Sequence, residues 1–376
     1  MTTSPQQVPG DARELTLDPF PWYRAQRERE PVFHAVADGL WMVFGYADVQ
    51  RALTDHLEFS SQFGNLSILN TDPPRHRQLR NLVTEAFTPR TVEALRPRIS
   101  AIVEGLLDQV HASGKMDLIA DLAVPLPVTV IAELLGIPTE DRDRFKRWSD
   151  AVVTGGGASQ ASGEMAGYFF RLIEQRRRSP RQDLISDLLA ARIDGKALSQ
   201  ADLYGFCVLL LVAGNETTTN LIGNAILCLD EHPDARAQLI ADPTLLPSAI
   251  EEVLRYRSPI QSMFRITRTD VDLGGRSIPR GAHVMAWIGS ANRDPAQFPD
   301  PDRFDVRRSP NRHVAFGHGI HFCLGAPLAR LEATIALQAV LRRLPRLAVD
   351  RSVHLERVAS DVVFGVRGLP VTWAPA

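Results

Sequence analysis

Cys323 stands in the run Phe316-Gly317-His318-Gly319-Ile320-His321-Phe322-Cys323-Leu324-Gly325-Ala326-Pro327. Three glycines there permit tight turns that aim backbone N–H groups at the sulfur. Pro327 suits the first turn of a helix predicted from about Ala326 to Leu341, and the dipole of that helix favours an anion. A thiolate is therefore stabilised, as ligand or as nucleophile. These residues alone leave three chemistries open: axial ligation of haem iron, zinc ligation with His318 and His321, and nucleophilic attack with a histidine base. Zinc usually needs a second ligand pair, which the sequence does not offer. Cys207 and Cys228 fall inside an apolar helical pattern, where a buried, inert thiol is expected.

A second chemical element lies upstream. From Ser199 to Glu231 the pattern is helical for 33 residues, about 50 Å at 1.5 Å per residue. Ser199 with Asp202 makes a capping-box-like start, and His232-Pro233 ends it. The first half is almost wholly apolar, as in a buried helix. Gly214-Asn215-Glu216-Thr217-Thr218-Thr219-Asn220 interrupts it. Because an unpaired buried carboxylate is costly, the stretch marks either a helix that surfaces midway or a groove where a hydroxyl and a carboxyl face a cavity. A cysteine hydrolase would need neither this helix nor the distant arginine and histidine clusters.

The elements that carry these groups read as mostly helical. Pro31–Ala35 and Leu40–Phe44 flank Asp38-Gly39 as a hairpin. His76–Phe87, Val92–Val110 and Val128–Leu135 repeat apolar residues at helical spacing. Strand signals return after about residue 265, with Val271–Leu273, Ser277–Pro279 and Val284–Ile288 as a small antiparallel sheet and a β-rich tail after Val349. Gly155–Gly163 reads as a mobile connection. The expected fold class is mainly α with a minor antiparallel β region, in a single domain spanning residues 1–376, with residues 1–15 flexible.

Composition narrows the function classes. Apolar residues make up 44% and charged residues 23% of the 376 positions, so disordered and fibrous classes are excluded. With 42 basic against 44 acidic side chains the net charge is −2, and no summed positive field draws nucleic acid. The opening stretch carries neither a basic start nor an apolar run, and the longest apolar run, Phe206–Ala213, has 8 residues, far below the roughly 20 of a membrane span. Three scattered cysteines make no disulfide framework. The expectation is a cytoplasmic monomer with no nucleic-acid or membrane partner.

Phe316-x-x-Gly319-x-x-x-Cys323-x-Gly325 resembles the haem-binding loop of the cytochrome P-450 family. Ala213-Gly214-x-Glu216-Thr217-Thr218 is similar to the oxygen-activating helix of that family, and Glu252-Val253-Leu254-Arg255 to its helix-borne Glu-x-x-Arg motif. Asp72-Pro73-Pro74-Arg75-His76, Ala291-Asn292-Arg293-Asp294-Pro295 and Pro301-Asp302-Arg303-Phe304 match further segments, so the likeness spans about residues 15 to 375.

The resemblance implies a long central helix and a Cys-ligand loop around buried haem b, with Cys323 the axial ligand of the iron. His76, Arg80, Arg265 and His321 would pair with the haem propionates, which need cationic partners when buried. His76 and Arg80, four apart, share one helix face. Phe316, Gly325, Ala213 and Gly214 would line the cofactor, and Glu252, Arg255 and Arg303 would form a structural ion network beneath it. Thr217 and Glu216 would organise the water and protons consumed when O2 is cleaved and one oxygen atom is inserted into an apolar small-molecule substrate. NAD(P)H enters only indirectly, through a separate ferredoxin and ferredoxin reductase, with Arg77 among the docking contacts. Candidate pocket residues are Leu66, Ile68, Leu69, Leu210, Ala213, Ile260, Met263, Phe264 and Phe364, largely apolar. Only 11 residues, Ser61–Thr71, separate Phe59-Ser60 from Asp72, so the helix that often lids the pocket is expected to be reduced. Two alternatives remain: a variant of the family doing oxidative coupling, dehydration or isomerisation, and a non-catalytic haem sensor.

Overall fold

A computed structural model describes residues 17–63, 68–141, 144–145, 147–148 and 158–374. Residues 1–15, Leu66 and the first part of the 155–163 stretch lie outside the described residues. The twelve strands among the described residues are β1 (Val32–Ala35), β2 (Leu40–Val43), β3 (Phe59–Ser60), β4 (Lys115–Asp117), β5 (Arg192–Ile193), β6 (Lys196–Ala197), β7 (Met263–Thr267), β8 (Val271–Leu273), β9 (Arg276–Ile278), β10 (His283–Ala286), β11 (Ala348–Val349) and β12 (Pro370–Thr372). Helices fill most of the rest, and the chain folds as two compact units that interleave in sequence.

One unit takes the chain up to Gly64, Asn224–Cys323 and His354–Arg367. Its five-stranded sheet runs β1-β2-β10-β7-β3. Successive side chains of a strand point to opposite faces, and here both faces are buried. Val32, Val43, Val284 and Ala286 enter an aliphatic cluster on one side. Phe33, Met42, Phe44, Met285 and Trp287 enter an aromatic cluster on the other. The expected hairpin is present, with Val32 opposite Val43. The minor β region is antiparallel as expected at β1–β2, β7–β10, β3–β7 and β8–β9, and β2 joins β10 in parallel. Two such distant strands can pair in either sense, and nothing in their local pattern decides it.

The helix Phe20–Arg29 is fastened to this unit by specific contacts. The hydroxyl of Tyr23 donates to Gln261 Oε1 at 2.8 Å, and Arg27 donates to the backbone oxygen and hydroxyl of Ser290. The buried guanidinium of Arg293 lies between the Phe20 and Tyr256 rings, 3.8 and 3.5 Å from their centroids. Such contacts favour a cation whose hydration has been lost.

The other unit takes Asn65–Gly223, Leu324–Val353 and the chain from Gly368. It contains the helices Arg75–Thr84, Arg96–Val110, Pro125–Leu134, Ala158–Arg178 and Ala326–Arg343, and the sheet β11-β12-β4. Residues 158–163, read from sequence as part of a mobile connection, begin the helix Ala158–Arg178. The β4 strand and the β5–β6 hairpin precede residue 265, earlier than the strand signals suggested. Between β3 and the helix Arg75–Thr84 the described residues hold one 3-10 turn, Ile68–Asn70, and no α-helix.

The long helix runs Gln200–Glu231, 32 residues, and passes from the second unit into the first at Gly223-Asn224. Its capping box is formed: the Ser199 N–H donates to Asp202 Oδ2 and the Asp202 N–H to Ser199 Oγ. Among the described helices it alone is long and apolar enough to cross a membrane, but half of its apolar window is buried within the protein.

Candidate active site

In the first unit the segment that leads into the cysteine loop is tied to the helix Leu246–Tyr256 through Asn311 and His313. Glu252 and Arg255, both fully buried, meet in a fork, Nε and Nη2 of Arg255 each donating at 2.8 Å to one oxygen of Glu252. The remaining donors of Arg255 bind the backbone oxygens of Asn292, Pro301 and Arg303. A planar guanidinium can do this without leaving a donor stranded. Glu252 in turn accepts from the Asp305 N–H at 2.9 Å, Arg308 Nε at 3.2 Å and Asn311 Nδ2 at 3.1 Å.

Arg303 was expected to complete this network, and its side chain does not. Its guanidinium is 69% exposed and meets Asp305 at 3.7 Å, so it contributes only its backbone oxygen. Arg308 takes the place, because the turn after Asp305 points its side chain inward.

Beyond Asn311 the chain enters the loop. The Gly317 N–H donates to Val314 O at 2.9 Å and the Cys323 N–H to Phe316 O at 2.8 Å, closing the loop at its neck. Gly317 and Gly319 have φ of +70° and +69°, and a Cβ on Gly319 would lie 2.9 Å from Thr54 Cα. Only glycine fits there. His318 is turned toward Thr54, its Nδ1 3.1 Å from Oγ1. Among the described residues no three His, Cys, Asp or Glu side chains come together as a metal-ligating group.

The three cysteines differ sharply. Cys207 and Cys228 are buried in the long helix, where loss of hydration pushes their thiols up to about 12 and about 11. Cys323 is partly accessible, at the start of the helix Ala326–Arg343. Of the three it alone suits a thiolate that binds a metal. His321 is half-buried in the 3-10 turn Gly319–His321, and Arg265 is buried on β7 opposite Val284.

In the second unit the polar stretch of the long helix does not break it. Thr217 Oγ1 donates to Ala213 O at 2.7 Å, Thr219 Oγ1 to Ala123 O at 2.9 Å, and Asn220 Nδ2 to Glu216 O and Oε1 at 2.8 and 3.0 Å. Asn215, Thr218, Thr219 and Asn220 are buried, while Ala213 is exposed and Gly214, Glu216 and Thr217 are half-buried. His76 is buried and Arg80 half-buried on the helix Arg75–Thr84, which Arg75 ties to Asp202 at 2.8 Å.

The candidate pocket residues divide. Leu69 is exposed and Leu210 half-buried, and Ile68 is buried. Ile260 and Met263 pack partly against the aliphatic core, and the Phe264 ring sits 6.3 Å from that of exposed Phe63, a residue the sequence reading did not single out. Phe364 is a correction. It is fully buried, its ring 6.0 Å from Phe20 and beneath the Arg357 guanidinium, so it is core and offers a ligand no surface.

Comparison with known proteins agrees with this arrangement. Residues 157–350 match the family model Cytochrome P450. The chain is 45% identical to the cytochrome P450 monooxygenase PikC of Streptomyces venezuelae, over 96% of this chain and 92% of that one. It is 44% identical to cytochrome P450 109 of Bacillus spizizenii, over 94% and 92%. The crystal structure of CYP109E1 from Bacillus megaterium in complex with testosterone superposes with a TM-score of 0.90 at 44% identity, covering 95% of this chain and 99% of that one. A partly open cysteine at a helix start, a glycine-shaped loop that closes on it, and relatives matched over nearly their whole length lead to one conclusion: the chain belongs to the cytochrome P450 family of haem-thiolate monooxygenases, with haem b as its cofactor.

Proposed function

We propose that the enzyme hydroxylates or epoxidises an apolar small molecule, with electrons from a separate ferredoxin and its NAD(P)H-dependent reductase, and that it works as a cytoplasmic monomer. Haem b, when bound, would supply the redox-active iron for O2 activation, and Cys323 would hold that iron through its thiolate. Phe316, His321, Arg265 and Gly325 are proposed to hold the group together with His76, Arg80, Ala213 and Gly214. The cationic members of this set offset the cost of burying the propionates.

One observation carries the assignment of Glu216 and Thr217. Ala213 and Thr217, four apart, share a helix face. That face is open at Ala213, whereas Asn215, Thr218 and Thr219 are buried. Thr217 gives its proton to Ala213 O and keeps lone pairs that can accept from a water. Asn220 orients the Glu216 carboxylate through Oε1. An acid and an alcohol so held can pass protons along that face.

Leu69, Leu210, Met263 and Phe264 favour an apolar substrate. CYP109E1, solved with testosterone, supports the same reading. Exposed Arg77 is a proposed contact of the acidic electron donor. A library of steroids, terpenoids and fatty acids, screened for the low-spin to high-spin absorption change and then for product with ferredoxin and reductase, tests the proposal. No compound that both shifts the spectrum and accelerates NAD(P)H consumption would refute it.

A further inference from the structure

Glu251 and Glu252 are neighbours on one helix and have separate tasks. Glu252 gathers Arg255, Arg308 and Asn311, as described. Glu251 accepts from His313, whose Nε2 lies 3.1 Å from Oε2. The imidazole, with only 4% of its side chain exposed, is engaged at its other nitrogen as well: the Ala315 N–H donates to Nδ1 at 3.2 Å. An N–H pointing at Nδ1 requires that nitrogen to carry no proton, so the ring proton sits on Nε2 and faces the carboxylate. The ring centroid of His313 is also 6.3 Å from that of Phe316, whose backbone oxygen receives the Cys323 N–H.

The same stretch has a second attachment. Asn292, fully buried, accepts from the Val314 N–H at 2.8 Å through Oδ1 and donates to Ser258 Oγ at 2.8 Å through Nδ2. The N–H groups of Val314 and Ala315, in two successive peptides, are thus each bound by a side chain, immediately before the loop whose neck closes on Cys323.

We propose that His313 is a positioning residue for Cys323: a two-ended bridge, Glu251 to imidazole to Ala315, that anchors the segment entering the ligand loop to the helix Leu246–Tyr256. The proposal rests on Cys323 as the ligand. Its test reads backbone amide exchange of the haem-loaded protein across residues 314–323, together with the red-shifted band of the reduced, carbon monoxide-bound form. His313→Leu fills the space without either hydrogen bond. It is expected to speed exchange of the loop amides about five- to thirtyfold, the range for one or two lost buried bonds, and to move part of the carbon monoxide absorption to the unshifted position. Glu251→Gln retains an acceptor for Nε2 and is expected to preserve both signals. If His313→Leu does not accumulate as folded protein, Glu251→Ala severs the bridge from the helix side and should give the same loop-confined change. Unchanged loop exchange, or acceleration spread evenly over the whole chain, would overturn the proposal. A wild-type protein without the red-shifted band would instead refute Cys323 ligation itself.

Discussion

Nε of Arg308 lies 3.2 Å from Oε1 of Glu252, inside a carboxylate already forked by Arg255, while Arg303 turns its guanidinium to solvent. Removing one partner of a buried charge cluster strands the rest. Arg308→Ala is expected to cost about 3 kcal/mol of unfolding free energy, and Arg303→Ala less than about 0.5 kcal/mol. Denaturant melts of the two variants decide between them, and equal losses would contradict the arrangement described.

Cys323→Ala removes the sulfur but leaves the loop neck, which is made of backbone bonds. The variant should fold and lose the red-shifted carbon monoxide band entirely, as read by difference spectroscopy. Retention of the band would mean that another residue ligates the iron.

Thr217→Ala deletes the hydroxyl on the open helix face and its bond to Ala213 O. Haem content should stay at the wild-type level while product formed per NAD(P)H falls several-fold and hydrogen peroxide rises, since proton delivery by a positioned group contributes roughly 10²–10⁴-fold in rate. Peroxide assay alongside product analysis measures the split.

Gly319→Ala must place a methyl group 2.9 Å from Thr54 Cα at a φ of +69°. The cost is expected at about 1–3 kcal/mol, with diminished haem retention as the first visible sign. Gly105→Ala, within the helix Arg96–Val110 and with nothing within 4 Å of its would-be Cβ, is the control and should melt at or slightly above wild type.

Glu332 is buried on the helix Ala326–Arg343, its Oε1 makes no hydrogen bond among the described residues, and loss of hydration pushes its carboxyl up to about 8. A group whose folded value exceeds its unfolded one favours folding fully at low pH, and that contribution is lost as pH rises from the ordinary carboxyl range through the folded value. Glu332→Gln removes the dependence. The stability of the variant relative to wild type should therefore grow between about pH 5 and 8, at up to about 1.4 kcal/mol per unit. Urea melts across that range check it, and parallel curves would show the carboxyl to be hydrated.

The chemistry-bearing elements were the legible ones. The cysteine loop, the long capped helix and the hairpin each follow from local patterns that tertiary contacts reinforce rather than override. Pairing and side-chain direction were not legible. Arg303 and Arg308 are both arginines beside the same motif, and only the turn after Asp305 decides which one points inward. The β5–β6 hairpin carried a readable signal, Asp194-Gly195 with φ of +49° and +77°, that the sequence reading passed over. Asn292 and His313 sat within or near matched segments, but their roles depend on partners tens of residues away. Phe364 shows the converse, an apolar residue at a pocket-like position that the fold spends on its core.

The stacking of Arg293 between Phe20 and Tyr256 sets a practical boundary at the amino terminus. A tag or trimmed end placed before Pro19 leaves the sandwich whole. A deletion through Tyr23 uncovers a desolvated cation and strips Gln261 of its hydroxyl partner, so the cut would be felt on the sheet that carries Arg265.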